Sequence, residues 1–227
     1  MRDYAHYEFH LAAQKLHNFC SEFLGAFYLD ILKDRLYTSA VGSPARRSAQ
    51  SALHHVSHCL LRLLAPILSF TAEEAWGQFT RDDQDSIFLH TAYVLPDVLD
   101  AELMERRWML VRETRTLVQK ELEQLRVKGI IGSSLQGEVT VKAGGATYQA
   151  LAALGDDLRF VFITSGAEVV ADEAQSEAQA SVRASEHTKC GRCWHYRADV
   201  GVSPQHPELC GRCVSNLFGD GEPRAHA

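Results

Sequence analysis

The chain of 227 residues has no run of about 18 apolar residues, so no membrane-spanning helix is expected. Its first ten residues, MRDYAHYEFH, lack the apolar stretch of a secretion signal. With 23 Lys and Arg against 29 Asp and Glu, the formal net charge is −6, which excludes a uniformly basic nucleic-acid binder but leaves room for a local basic face. No glycine-rich phosphate loop follows a strand pattern; the one candidate, GDGEPR, lies near the C-terminus. Together these absences point to the cytoplasm, a reducing compartment in which paired cysteines mean metal or redox chemistry. What remains is ordinary globular composition, 46% hydrophobic and 23% charged, enough for one large domain or two smaller ones.

The chain up to Lys128 reads mostly as helix. Phe9, Ala12, Leu16, Phe19, Phe23, Phe27 and Ile31 recur in steps of three and four, the stripe of one amphipathic helix between Tyr4 and Tyr37. Ser43-Pro44 opens a second helix, with Ser43 as its cap and Pro44 in its first turn, and Pro66 ends it. Thr71-Ala72-Glu73-Glu74 has the form of a capping box ahead of a short helix carrying Trp76 and Phe79. A connecting loop over 80–97 leads to a long charged helix from Leu99 to Lys128, with the seam Leu103, Leu110, Val111, Leu117, Val118, Leu122 and Leu125 and a stop at Gly129.

The period then shortens. Leu135, Val139 and Val141 alternate with polar residues as a half-exposed strand does; Thr147–Leu154 reads as a short helix, and Leu158–Thr164 and Glu168–Ala171 as two more strands. Residues 172–186, mostly Ala, Glu, Ser and Gln, show no period and read as a solvated linker.

Cys20 and Cys59 stand alone in apolar helical stretches, as small core residues do. The other four cysteines form one motif written twice, Cys190-Gly-Arg-Cys193 and Cys210-Gly-Arg-Cys213, with sixteen residues between the pairs. Two residues between cysteines let a tight turn aim both sulfurs at one ion, and four thiolates close the coordination sphere of a structural zinc. A redox Cys-x-x-Cys does not come doubled, iron–sulfur spacings differ, and haem attachment needs His where Trp194 and Val214 stand. His187, His195 and His206 lie close enough in sequence to compete as ligands; the simpler reading gives them no metal. Gly191 and Gly211 are expected to supply turn angles that side chains oppose. The segment is too poor in apolar residues to fold alone, so the metal supplies folding energy, worth about 10–16 kcal/mol in zinc-finger peptides. Lys189, Arg192, Arg197 and Arg212 with Trp194 and Tyr196 suit phosphates and unstacked bases. The competing reading has Trp194 covering the metal and the arginines in solvent.

The motif CGRCWHY…HPELCGRCVSNLFGDGEPR resembles the C-terminal zinc module of bacterial isoleucyl-tRNA synthetases. YEFHLAAQKLHNFCSEFLGAFYLDILKDRLYT, RRSAQSALHHV, RLLAPILSFTAEEAW and IGSSLQGEV resemble that family's anticodon-binding helical region and the segment after it, so the likeness runs from Tyr4 to the last residue. LAPILSFTAEE is shared with the related valine and leucine enzymes; IGSSL and Cys-x-x-Cys-Trp-His point to isoleucine.

The resemblance implies a mainly α fold: a helical bundle of the class I synthetase anticodon-binding type over 1–97, the long helix and a small α+β junction domain over 98–171, the linker over 172–186, and a four-cysteine zinc ribbon over 187–227. It implies one structural zinc held by Cys190, Cys193, Cys210 and Cys213, with tRNA(Ile) as the partner. Candidate tRNA contacts are Lys33, Arg35, Arg46 and Arg47 on the first two helices, Lys120, Arg126 and Lys128 on the long one, and Arg192, Trp194 and Arg212 in the ribbon. The family's His-x-Gly-His and Lys-Met-Ser-Lys-Ser signatures are absent. The implied reading is therefore a monomeric-family C-terminal fragment, starting inside its helical domain. It positions tRNA for a parent ligase that uses ATP, is not itself catalytic, and lacks the catalytic and editing domains. The truncated start is expected to expose the Phe9–Ile31 stripe and favour self-association. Two alternatives stay open: a protein-interaction module stapled by zinc, and a free-standing zinc-ribbon nucleic-acid-binding protein. Because a linker precedes the ribbon, chelation is expected to unfold only the residues after about 186.

Overall fold

The computed structural model describes residues 1–82, 84–174 and 177–226. Nine α-helices and five short strands are found among them, and the chain divides into two compact units, residues 1–30 with 47–98 and residues 31–46 with 99–227. The architecture is mainly α, with a small α+β region and a four-cysteine cluster near the C-terminus.

The expected first helix is four pieces. α1 (Arg2–Ala5) and α2 (Phe9–Asn18) are followed by a π-helical stretch, Phe19–Leu29, before α3 (Asp30–Thr38). A turn closed by i→i+5 bonds is wider than an α-turn, so steps of three and four drift off one face. Only Ala12 and Ile31 of the apolar stripe are buried, and Phe9, Phe19 and Phe23 are exposed. Gly25 fits this stretch because a Cβ there would stand 2.9 Å from the Cys20 carbonyl.

α4 (Pro44–Leu64) begins as read, with the Arg46 amide donating to Ser43 Oγ at 3.2 Å, and ends ahead of Pro66. The capping box does not form. α5 (Ser69–Thr80) starts two residues before Thr71, and Glu73 instead accepts from the Ile87 amide at 2.9 Å. The first unit's core is Ala65, Ala72, Trp76 and Ile87, with Leu61 and Phe79 against it. Trp76 Nε1 donates to Asp85 at 3.0 Å. Of the connecting loop, residue 83 lies outside the described residues.

In the second unit α6 (Ala101–Val127) buries Val111, Thr114, Arg115, Val118 and Leu122, while Leu103 and Leu117 of the expected seam are exposed. Gly129 stops it at φ +70°: its amide donates to the Arg126 carbonyl and the Ile130 amide reaches back to Leu125, the paired bonds of a Schellman motif. A three-stranded sheet in the order β2-β1-β3 follows. β1 (Gly137–Ala143) buries every second residue, including Val139 and Val141. It pairs in parallel with β2 (Gly166–Ala171) through a crossover containing α7 (Gly145–Ala152) and α8 (Leu158–Phe162).

Two expectations are corrected in this unit. Leu158–Thr164 is not a strand: Leu158, Phe160, Val161 and Phe162 are all buried in α8, and a short apolar run with one polar residue, Arg159, does not reveal its own period. Residues Gln179–Ala184, read as linker, form β3, antiparallel to β1. Their partly buried side chains are Ala180, Val182 and Ala184, two of them too small to stand out in a hydropathy pattern. Of that linker, residues 175 and 176 lie outside the described residues, as does residue 227 of the ribbon.

Candidate metal centre

The doubled motif folds as two knuckles within the second unit. β4 (Thr188–Lys189) and β5 (Tyr196–Arg197) pair antiparallel around the first. The Cys190 amide donates to the His195 carbonyl at 2.9 Å and the Trp194 amide to the Cys190 carbonyl at 3.0 Å, which closes the turn on Cys193. The second knuckle runs into α9 (Gly211–Phe218), and the Cys210 amide points at Cys190 Sγ at 3.3 Å. The expectation for the glycines is corrected: the left-handed residue in the first knuckle is Trp194, at φ +64°, whereas Gly211 admits a close approach, with Asp199 Oδ2 at 2.8 Å from where a Cβ would stand.

All four thiols are buried, and their sulfurs lie within 4.8 Å of one another. Cys193 and Cys210 sulfurs are 3.7 Å apart. Zn–S bonds of about 2.3 Å arranged tetrahedrally put neighbouring sulfurs ~3.8 Å apart, so the set fits zinc. Hydrogen bonds from Cys210 and Cys213 hold the Cys193 thiol far below its ordinary range, and the contact with Cys193 pushes both Cys210 and Cys213 up. Zinc takes thiolates, so its binding releases the remaining thiol protons. No fourth position is left for water, which makes the site structural. None of His187, His195 and His206 belongs to the cluster.

Arg192 and Arg212 do not lie in solvent around the knuckles. Arg192 Nη1 donates to the Thr38 carbonyl at 2.7 Å and Nη2 to the Tyr37 carbonyl at 3.2 Å, so it caps the last turn of α3. Arg212 forms a two-pronged pair with Asp34 at 2.9 and 2.8 Å, its side chain only 9% exposed. Asp34 also takes Arg224 Nη1 at 2.6 Å, with His195 Nε2 at 3.6 Å. Burial raises the Asp34 carboxyl pKa, but Arg212, His195 and Arg224 outweigh it and hold the group far below the carboxylate range. The tail is fastened at several points. Gly221 turns at φ +88°, Asn216 exchanges two bonds with Glu222, Arg224 lies 3.6 Å from the Phe160 ring centroid, and Asp157 accepts from the Ala225 and His226 amides. The Tyr196 amide donates to Ser165 Oγ at 2.6 Å, so the ribbon is also tied to the end of α8.

The other candidates lie apart from the metal. Trp194 is 59% exposed with the Lys189 ammonium 5.6 Å from its ring, so it does not seal the site. Lys33, Arg47, Lys120, Arg126 and Lys128 are exposed, and Arg35 and Arg46 are half-buried. Sequence reasoning missed Asp34, Phe160 and Arg224. The only hint of Asp34 was an acid between Lys33 and Arg35 on an otherwise basic turn, and Arg224 sits in a tail without period.

A family model described as the anticodon-binding domain of tRNA ligase matches residues 1–142. This chain belongs to that family. A second model, described as a zinc finger found in FPG and IleRS, matches residues 189–216 and holds all four cysteines. The isoleucine–tRNA ligase of Thiobacillus denitrificans is 59% identical over 226 residues, 100% of this chain and 24% of that protein. Isoleucine–tRNA ligase 1 of Burkholderia mallei is 58% identical over 224 residues, 99% of this chain and 24% of its own, and the Cupriavidus taiwanensis isoleucine–tRNA ligase is 55% identical over 226 residues, 99% and 23%. The chain spans about a quarter of the length of these relatives. The zinc-finger match on a four-cysteine cluster of zinc geometry assigns this chain one structural zinc. Among the described residues no helix is long and apolar enough to cross a membrane.

Proposed function

We propose that this chain is the tRNA-recognising, zinc-bearing part of an isoleucine–tRNA ligase. The observation that carries the reading is a match to such enzymes over essentially the whole chain, with the anticodon-binding and zinc-finger models in tandem. The parent joins isoleucine to tRNA(Ile) with ATP in the cytoplasm as a monomer, and its catalytic domain is this part's other partner. The work of residues 1–227 is orientation: holding the tRNA removes entropy from the transfer step that the parent carries out.

Within this reading the helices over 1–97 meet the anticodon stem-loop, the region over 98–171 joins them to the ribbon, and residues 187–227 are the zinc module. Lys33, Arg35, Arg46, Arg47 and Lys128 meet phosphates and set the register. Trp194, exposed beside Lys189, offers a face for an unpaired base. Arg192 and Arg212 are turned to α3, and their part is to hold the ribbon there. Residues 172–186, apart from β3, act as the connection to the ribbon. Filter binding at moderate salt tests the proposal. Isoleucine tRNA is expected to bind at least about tenfold more tightly than unrelated tRNAs; equal affinities would reduce the interaction to charge alone and contradict it.

A further inference from the structure

The sequence writes Cys-Gly-Arg-Cys twice, and the fold uses both arginines on one target. Arg192, between the first pair of thiols, caps the last turn of α3; Arg212, between the second pair, grips Asp34 one turn earlier in the same helix. Arg192 Nη1 also reaches Cys213 Sγ at 3.7 Å, so one guanidinium touches both a thiol of the cluster and α3. Arg224, fully buried, brings the tail to the same carboxylate. Asp34 is therefore where His195 after the first knuckle, Arg212 of the second and Arg224 of the tail converge on α3. Its neighbours in sequence, Lys33 and Arg35, are among the candidate RNA contacts.

We propose that Asp34 is a positioning residue that couples the zinc-organised knuckles to the geometry of α3, and through α3 to RNA phosphate. The RNA limb rests on the function proposed above; the coupling limb stands on the geometry alone. The physical reason is mutual dependence. Without ordered knuckles the arginines lose their fixed placement, the last carbonyls of α3 lose their cap, and a buried carboxylate loses its partners. Without Asp34 the Arg212 and Arg224 guanidinium groups keep only Glu222, at 3.5 and 3.6 Å, and the hold on α3 falls to Arg192 on its last carbonyls and Arg212 on Thr38 Oγ1. Zinc and RNA then become two ligands of one coupled element, and each favours the other.

Hydrogen exchange on the full 227-residue chain, zinc-loaded and chelated, tests the coupling in the parent protein and in Asp34→Asn. In the parent, zinc removal is expected to speed exchange over 31–38 at least about tenfold. In Asp34→Asn, which keeps the cysteines, about one zinc per chain is expected to remain bound, α3 is already faster, and zinc removal, which still frees Arg192 from the last turn, changes it less than about threefold. A helix merely weakened by the substitution would keep its zinc dependence, and that result would overturn the proposal. Zinc-loaded Asp34→Asn is also expected to bind isoleucine tRNA about tenfold more weakly; decoupled exchange with unchanged affinity would overturn the RNA limb. Failure of the parent protein to bind tRNA would instead sink the proposed function, and the exchange data would still judge the coupling. If Asp34→Asn does not hold zinc, Arg224→Met, which leaves the Arg212–Asp34 pair, must show the same change at smaller size. No change there would overturn the proposal.

Discussion

Among the described residues of the first unit the buried apolar side chains are four alanines, Trp76 and Ile87, while Phe9, Phe19, Phe23, Phe70, Phe88 and Leu89 are exposed. The second unit buries Leu, Ile, Val and Phe from α3, α6, β1, α7 and α8, and adds four thiols and a set of ionised groups around Asp34. The first unit's polar chemistry stays near its surface and is largely aromatic and histidine-rich: His58 stacks on Tyr93 with ring centroids 4.8 Å apart, and Arg62 lies over both Trp76 and Tyr93. The second unit commits its charges inward. A dense apolar core there tolerates an inward-facing carboxylate because the Arg212 and Arg224 guanidinium groups meet it, and a metal fixes the segment that carries Arg212.

The largest effect should come from the metal. Cys210→Ser is expected to lose zinc and with it most of the roughly 10–16 kcal/mol that a structural site of this kind contributes, with calorimetry showing the second unit's transition lost or strongly lowered. Retained zinc and an unchanged transition would leave the contrast between the units without its cause.

Two substitutions of matched size separate the units. Asp34→Ala leaves Arg212 and Arg224 with Glu222 as their remaining carboxylate and is expected to cost about 3 kcal/mol, read in the second unit. Trp76→Ala empties the first unit's core and loses the bond to Asp85, at about 3–5 kcal/mol, with zinc content unchanged. If Asp34→Ala cost less than about 1 kcal/mol, as an exposed pair would, the buried network would have no claim to hold α3.

The smallest effect concerns pH. Burial lowers the His58 pKa below the ordinary 6.5, and His54, Arg62, His55 and His90 add to it. Above that value the imidazole is neutral in folded and unfolded chains and contributes no slope. As pH falls below it the unfolded chain takes the proton first, so the first unit loses stability. His58→Phe keeps a ring against Tyr93 and should flatten the denaturation midpoint between pH 6.5 and the lower folded value. An unchanged slope would assign the acid sensitivity elsewhere.

Much of this was legible in the residues. Ser43-Pro44, Gly129 and the alternation of Val139 and Val141 each state a local rule that the fold obeys. The cysteine spacing specified the metal centre because two-residue spacing admits few other uses. Three things were not legible, for identifiable reasons. The run from Leu158 carries a single polar residue, Arg159, too little to fix a period, so helix and strand look alike. β3 inserts only Ala180, Val182 and Ala184, below the threshold at which alternation stands out in a polar segment. Arg192 and Arg212 look like solvated or RNA-facing charges in sequence; only the fold brings α3 beneath them, where Arg192 meets Thr38, 154 positions away, and Arg212 meets Asp34, 178 positions away. For the same reason the ribbon does not read as part of its unit, and the expectation that a linker isolates it fails at Ser165, Asp34 and Phe160.

Hydrogen exchange across the whole chain, before and after chelation, decides whether the ribbon is an appendage or an integral part of the second unit. Protection is predicted to fall over 187–226 and equally over α3 and the 158–165 segment, while amides around Trp76 and Ile87, in the unit that holds none of the four thiols, stay protected. Loss confined to residues after 186 would contradict the account.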